Sequence, residues 1–107
     1  MLKKERMNKN EIPRSIKEVF KRVLEIREFK NQTQMIEGLN IARSFFFRIK
    51  NGTDFLSDEK ARELAELSEL PTDYVLTLNN FEKCKDAESK EAYKRILSYL
   101  MHIYFKD

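Results

Sequence analysis

The sequence predicts an all-α protein, and three observations predict it. Apolar residues recur three and four apart through most of the chain, as on one face of a helix. No segment alternates apolar and polar residues in the way a half-buried strand does. Only two Gly and two Pro interrupt 107 residues, and 36% of the residues are charged, a mix that suits helices with a charged outer face. At this length the chain makes one domain with room for one core.

The first dozen residues, through Ile12 and Pro13, are charged and weakly periodic, so residues 1–13 read as a basic arm. Ile16, Val19, Phe20, Val23, Leu24, Ile26 and Phe29 then keep helical spacing, which predicts a helix over about residues 14–29 with Pro13 and Ser15 as its start signals. After the polar break "KNQT", Met35, Ile36 and Leu39 predict a short helix ending near Asn40, a residue type that tolerates the left-handed conformation. A second short helix carries "RSFFFRIK" and stops at Asn51-Gly52. In "LSDEKARELAELSEL", Ser57 is a good N-cap, Asp58 and Glu59 favour the positive end of a helix, and Ala61, Leu64, Ala65 and Leu67 form its inner stripe.

Pro71 opens a short helix, "PTDYVLTL", which the Asn79-Asn80 pair is expected to end. Asp86 or Ser89 caps a last helix whose stripe is Tyr93, Ile96, Leu97, Leu100, Ile103 and Tyr104. The division is an arm over 1–13, a domain over 14–80 and a C-terminal helix over 81–107. Helices as short as those between Gln32 and Leu78 are marginal alone in water and must be held by mutual packing.

The span "QTQMIEGLNIARSFFFRIKNG", Gln32 to Gly52, resembles the XRE family of helix-turn-helix proteins, which includes the Cro and phage-repressor proteins. The family pattern runs without a gap from a Gln opening the second helix to a Gly closing the third. Met35, Leu39, Ile41, Phe46 and Ile49 take its inward positions, and "SDEKARELAELSELPTDYV" continues into its fourth and fifth helices. Two positions depart from the pattern: Ile36 stands where the family has a small Ala, and Asn40 stands where it has a turn Gly. The resemblance covers about residues 14–78 and implies a five-helix repressor-like domain with an additional C-terminal helix.

It also implies double-stranded DNA as the partner and a third helix that reads the major groove. On that helix Phe46 and Ile49 are three apart and point inward, while Phe45 and Phe47 diverge to either side by about 100° each. Phe47 then shares the outer face with Arg43 and Ser44, where its ring can pack on a thymine methyl or stay a partly buried packing residue. Arg43 and Ser44 open the helix, the end that meets base edges; for Arg43 the alternatives are a phosphate contact or a solvated side chain. Arg48 reaches a base or phosphate, or pairs with an acidic neighbour. Gln32 and Thr33 at the start of the second helix, and Lys50 and Asn51 at the end of the third, are the expected phosphate contacts.

Charge fits either an acidic partner or a solvated surface of uneven charge: residues 1–50 hold 13 Lys/Arg against 6 Glu, whereas residues 51–107 hold 8 against 12 Asp/Glu. The run "KKERMNK" either wraps onto DNA or is a solvated arm. Apolar residues off the main stripe of the last helix, Tyr99, Met101 and Phe105, make it the expected interface of a homodimer, the alternative being a helix that only closes the core beneath the first helix.

Other classes find little support. No stretch approaches the roughly 18 apolar residues of a membrane span, and the N-terminus has no apolar signal region. A single Cys84 and a single His102 offer no disulfide and no metal set, and the lone thiol fits the cytoplasm. No Gly-rich phosphate loop or nucleophile–base pair suggests an enzyme or a cofactor. The alternative reading is a protein-interaction module or antitoxin-like protein that uses Phe45 and Phe47 against a protein partner.

Overall fold

A computed structural model describes residues 11–27 and 29–105 of the chain. The described residues form six helices and no strand. The basic run at residues 3–9 lies outside them.

Helix α1, Ile16–Ile26, starts where Ser15 Oγ accepts the Glu18 N–H at 3.1 Å, which satisfies one of the orphan donors of a helix start. Its inner stripe is Ile16, Val19, Phe20 and Val23, all buried. Helix α2, Gln32–Leu39, is capped by Asn31, whose side chain accepts the Gln34 N–H. It ends at Asn40, which adopts the left-handed conformation at φ 55°. The short asparagine side chain tolerates that geometry where most residues resist it, so the departure from Gly at this turn is accommodated. Ile36, the other departure, is buried in the core.

Helix α3, Arg43–Lys50, follows after a short turn and buries Phe46 and Ile49. The Phe46 ring meets Phe20 of α1 edge-on, centroids 4.9 Å apart, so the third helix is pinned to the first. Gly52, at φ 78°, turns the chain back. The N–H groups of Thr53 and Asp54 then both donate to the Arg48 carbonyl, closing the end of the helix.

Helix α4, Asp58–Ser68, is capped by Ser57 Oγ on the Lys60 N–H. Helix α5, Thr72–Lys83, begins after Pro71 and does not stop at Asn79-Asn80. Asn79 is buried, and its Nδ2 donates to the Leu56 carbonyl at 2.8 Å, so the amide that reads as a terminator is a tie to the loop before α4. Helix α6, Ala87–Tyr104, is capped by Asp86 and packs on α5.

Helix ends are also held by side chains from distant helices. The Glu82 carboxylate accepts the Ile16 N–H at 2.8 Å. Arg22 Nε donates to the Ser68 carbonyl at 2.6 Å, and Arg27 donates to the Leu67 and Glu66 carbonyls. A carboxylate at a helix start and guanidinium groups at a helix end complement the unpaired peptide groups there. Lys60 similarly reaches the Leu39 carbonyl at the end of α2, and Lys90 reaches the Phe81 and Cys84 carbonyls at the end of α5.

One ring joins the two ends of the described chain. Tyr74 is buried, its hydroxyl donates to the Pro13 carbonyl at 2.8 Å, and Phe105 packs edge-on against it at 5.2 Å. Ile12 and Pro13, the last residues of the expected arm, are accordingly buried. Phe105 is also core, at 3% exposure; it is not available to a second subunit, because the turn after α6 folds it back onto Tyr74. The expected α6 stripe narrows in the same way. Leu97 and Leu100 are buried, whereas Ile96 and Ile103 are 46% and 44% exposed, since α6 lies on one neighbour and one narrow stripe suffices.

Candidate nucleic-acid interface

Burial of Phe46 and Ile49 fixes the rotation of α3 and decides what it shows to solvent. Arg43 and Ser44 in its first turn are exposed, and Phe47 is half-buried. Residues 43, 47 and 50 are four and three apart, which places them on one outer stripe. Along that stripe the Arg43 guanidinium carbon lies 5.5 Å from the Phe47 ring centroid, and Lys50 Nζ lies 6.0 Å from the same centroid. Two cations therefore attend one aromatic ring, each attracted to its electron-rich face.

Arg43 is also tied to the second helix: its Nη1 donates to Thr33 Oγ1 at 3.2 Å. This contact joins an expected base-reading residue to an expected phosphate-binding one. Thr33 is exposed and Gln32 half-buried at the start of α2. The Asn31 side chain takes the Gln34 N–H, and the first-turn amides of Gln32 and Thr33 have no acceptor among the described residues. Free amides at a helix start, with the positive end of its dipole behind them, favour an anion. Asn51, just past the end of α3, is exposed.

Arg48 behaves differently. Its Nε meets Asp54 Oδ2 at 3.2 Å and its guanidinium carbon lies 5.7 Å from the Phe45 ring centroid. Of the alternatives open in the sequence, this is the acidic-neighbour one. The Phe55 N–H and then Arg48 hold the Asp54 carboxyl below its ordinary range. Arg48 is exposed and Asp54 partly so, which makes the pair a weak one that an anion can displace.

Two residues of this surface are not singled out by the helix-turn-helix pattern. Lys17 and Lys21, four apart on the outer face of α1, are exposed and share a groove with Gln32 and Lys50. Their spacing is the available signal: a pair of lysines on the polar face of the helix that carries Phe20. Conversely, Arg22 and Arg27 contribute to the positive half of the sequence but spend their donors on the end of α4.

On α6, Tyr99 is 67% exposed and continues the exposed Ile96 and Ile103 stripe, while Met101 is half-buried against the core. Among the described residues no cluster of three or more His, Cys, Asp or Glu could hold a metal ion, and no helix is long and apolar enough to cross a membrane. No family model, curated protein or solved structure matches the chain.

Proposed function

We propose that the chain is a sequence-specific, double-stranded-DNA-binding regulator of the XRE helix-turn-helix type, a repressor-like five-helix domain with α6 added. In this reading α2 and α3 are the helix-turn-helix pair. Helix α3 enters the major groove, and the protein acts in the cytoplasm, without enzymatic activity, by occupying an operator, as a phage or prophage repressor does. The observation that carries the reading is the outer stripe of exposed Arg43 and half-buried Phe47 and Lys50 beside the open start of α2.

Roles follow from position on that surface. Arg43 and Ser44 reach base edges, with the Arg43 fork suited to guanine O6 and N7. Phe47 offers its ring to a thymine methyl. Gln32, Thr33, Lys50 and Asn51 hold phosphates, and Lys17 and Lys21 extend that positive edge along α1. A homodimer presents two such surfaces to half-sites about one helical turn apart. Its contact is the α6 stripe of Ile96, Tyr99 and Ile103, which replaces one that includes Phe105.

The test is a fluorescence-anisotropy titration of the full chain against a mixed-sequence duplex over a range of salt. DNA binding gives a steep linear fall of log affinity with log salt, and Lys50→Ala flattens that slope by about one phosphate contact. The exposed apolar stripe on α6 supports a second reading, a protein-interaction module or antitoxin-like protein. That reading gives no salt-dependent duplex binding, and its partner is lost with Phe47 or Tyr99 rather than with Lys50.

A further inference from the structure

A groove of about 340 Å³ lies between α1, the first turn of α2 and the second half of α3. Phe20, Leu24, Met35 and Phe46 give it an apolar floor, and Lys17, Lys21 and Lys50 stand around it. One acid, Glu18, also lines it. That carboxylate accepts the Arg14 N–H at 2.9 Å and sits in the first turn of α1, where the helix end already uses its charge. Neither Lys17 nor Lys21 forms an ion pair within 4 Å among the described residues, although Lys21 also lines a neighbouring groove with Glu11, Glu18 and Glu25.

We propose that this groove binds a small molecule with one anionic head and an apolar body, a carboxylate on an alkyl or aryl group. Its volume lies at the lower end of the range for small-molecule sites. A neutral apolar guest would strip water from the ammonium groups and return nothing for it. A bare phosphodiester satisfies the lysines but leaves the half-buried Leu24 side chain, the accessible part of the apolar floor, in water. A carboxylate with an apolar tail meets both demands at once, with charge-assisted hydrogen bonds at the rim.

The position of the groove gives its occupant a consequence that rests on the DNA-binding reading. Lys50 belongs both to the groove and to the stripe that contacts the duplex, and Gln32 lines the groove as well. A carboxylate bound to Lys50 removes it from a phosphate, so ligand and duplex weaken each other by the same factor.

The site is tested without DNA. The probe is 1-anilinonaphthalene-8-sulfonate, an anionic aromatic dye that brightens in apolar surroundings, titrated into the full chain beside its uncharged analogue N-phenyl-1-naphthylamine. The expected result is saturable one-to-one dye binding that decanoate displaces. Lys17→Glu with Lys21→Glu weakens the dye about tenfold or more, the worth of one charge-assisted hydrogen bond, while thermal melting and the neutral analogue's affinity stay unchanged. Tyr99→Ser, on the exposed face of α6, leaves dye binding intact. Absence of saturable binding, equal affinity in the charge-reversed variant, or loss of binding in Tyr99→Ser overturns the site. In a second arm decanoate is added to the duplex titration, where a raised apparent Kd supports competition through Lys50 and an unchanged Kd overturns it. The dye titration contains no duplex, so it decides the groove whether or not the chain binds DNA.

Discussion

Arg43 and Phe47 form one unit on the outer face of α3, the guanidinium carbon 5.5 Å from the ring centroid. The same arginine donates to Thr33 at 3.2 Å, so its fork is held near the surface by neutral partners. Neither partner neutralises it, and both contacts are weak enough to exchange for a base or phosphate. Arg43→Ala is expected to weaken duplex binding by about 1–3 kcal/mol. Arg43→Lys recovers the charge but not the bidentate geometry. Anisotropy titrations of both variants check this; equal affinities for the wild type and Arg43→Ala would count against the assignment.

Tyr74 joins the start of the described chain to its end, through Pro13 on one side and Phe105 on the other. Burial pushes its phenol up to about 12. The folded chain therefore holds this proton more tightly than the unfolded chain does. Stability is retained below the ordinary tyrosine range and falls as pH rises from about 10 towards 12. Tyr74→Phe leaves the Pro13 carbonyl without its donor and is expected to cost about 0.5–1.5 kcal/mol near neutral pH. It also removes the late phenol from an alkaline absorbance titration. An unchanged alkaline titration in the variant contradicts the burial of this phenol.

Glu82 stabilises the start of α1 from the neighbouring helix α5, and pH reports on the conflict it carries. Burial pushes its carboxyl above the ordinary value near 4.5, against the Ile16 hydrogen bond and the Lys90 charge, which pull it down. With the folded value raised, the folded chain binds more protons than the unfolded chain in that window. This group's contribution to stability therefore declines as pH rises through it. Glu82→Gln removes the slope, so the variant gains stability relative to wild type as pH rises above the ordinary carboxylate value. Urea denaturation of both proteins across that rise measures the difference, and parallel curves contradict a raised carboxyl.

Local signals in the sequence locate most of the fold, because they are chemistry between residues a turn apart. Ser15, Ser57 and Asp86 cap the helices they precede, and Asn40 takes the left-handed turn. Phe46 and Ile49 set the rotation of α3, which makes the outward placement of Arg43 and Phe47 readable from spacing alone. What spacing cannot supply is the partner of a group that leaves its own helix. Glu82 on Ile16, Arg22 on Ser68 and Asn79 on Leu56 all join residues distant in the chain. Each diverts a residue from its apparent local role: Asn79 continues a helix, and Arg22 is unavailable to an acidic partner. The last helix misleads for a related reason, since its apolar pattern is wider than the single face α5 covers.

That uncovered face makes a prediction of its own. Ile96, Tyr99 and Ile103 are three and four apart and substantially exposed, the spacing of a helix seam. The full chain is expected to sediment as a dimer at high micromolar concentration. Tyr99→Asp should convert it to a monomer with unchanged helicity, because the side chain supports nothing inside the subunit. Leu97→Ala, in contrast, empties a buried position and should cost about 2–5 kcal/mol of stability. A wild-type chain that sediments as a monomer at that concentration contradicts the α6 interface.

Whether α3 reads a duplex is decided by selection of sheared genomic DNA with the purified full chain, followed by sequencing, for the wild type and for Arg43→Ala with Phe47→Ala. The expected outcome is a discrete motif enriched by the wild type and lost in a double variant that still melts cooperatively. Uniform recovery of fragments by both proteins, or the same motif recovered by both, would contradict the assignment of α3 as the reading helix.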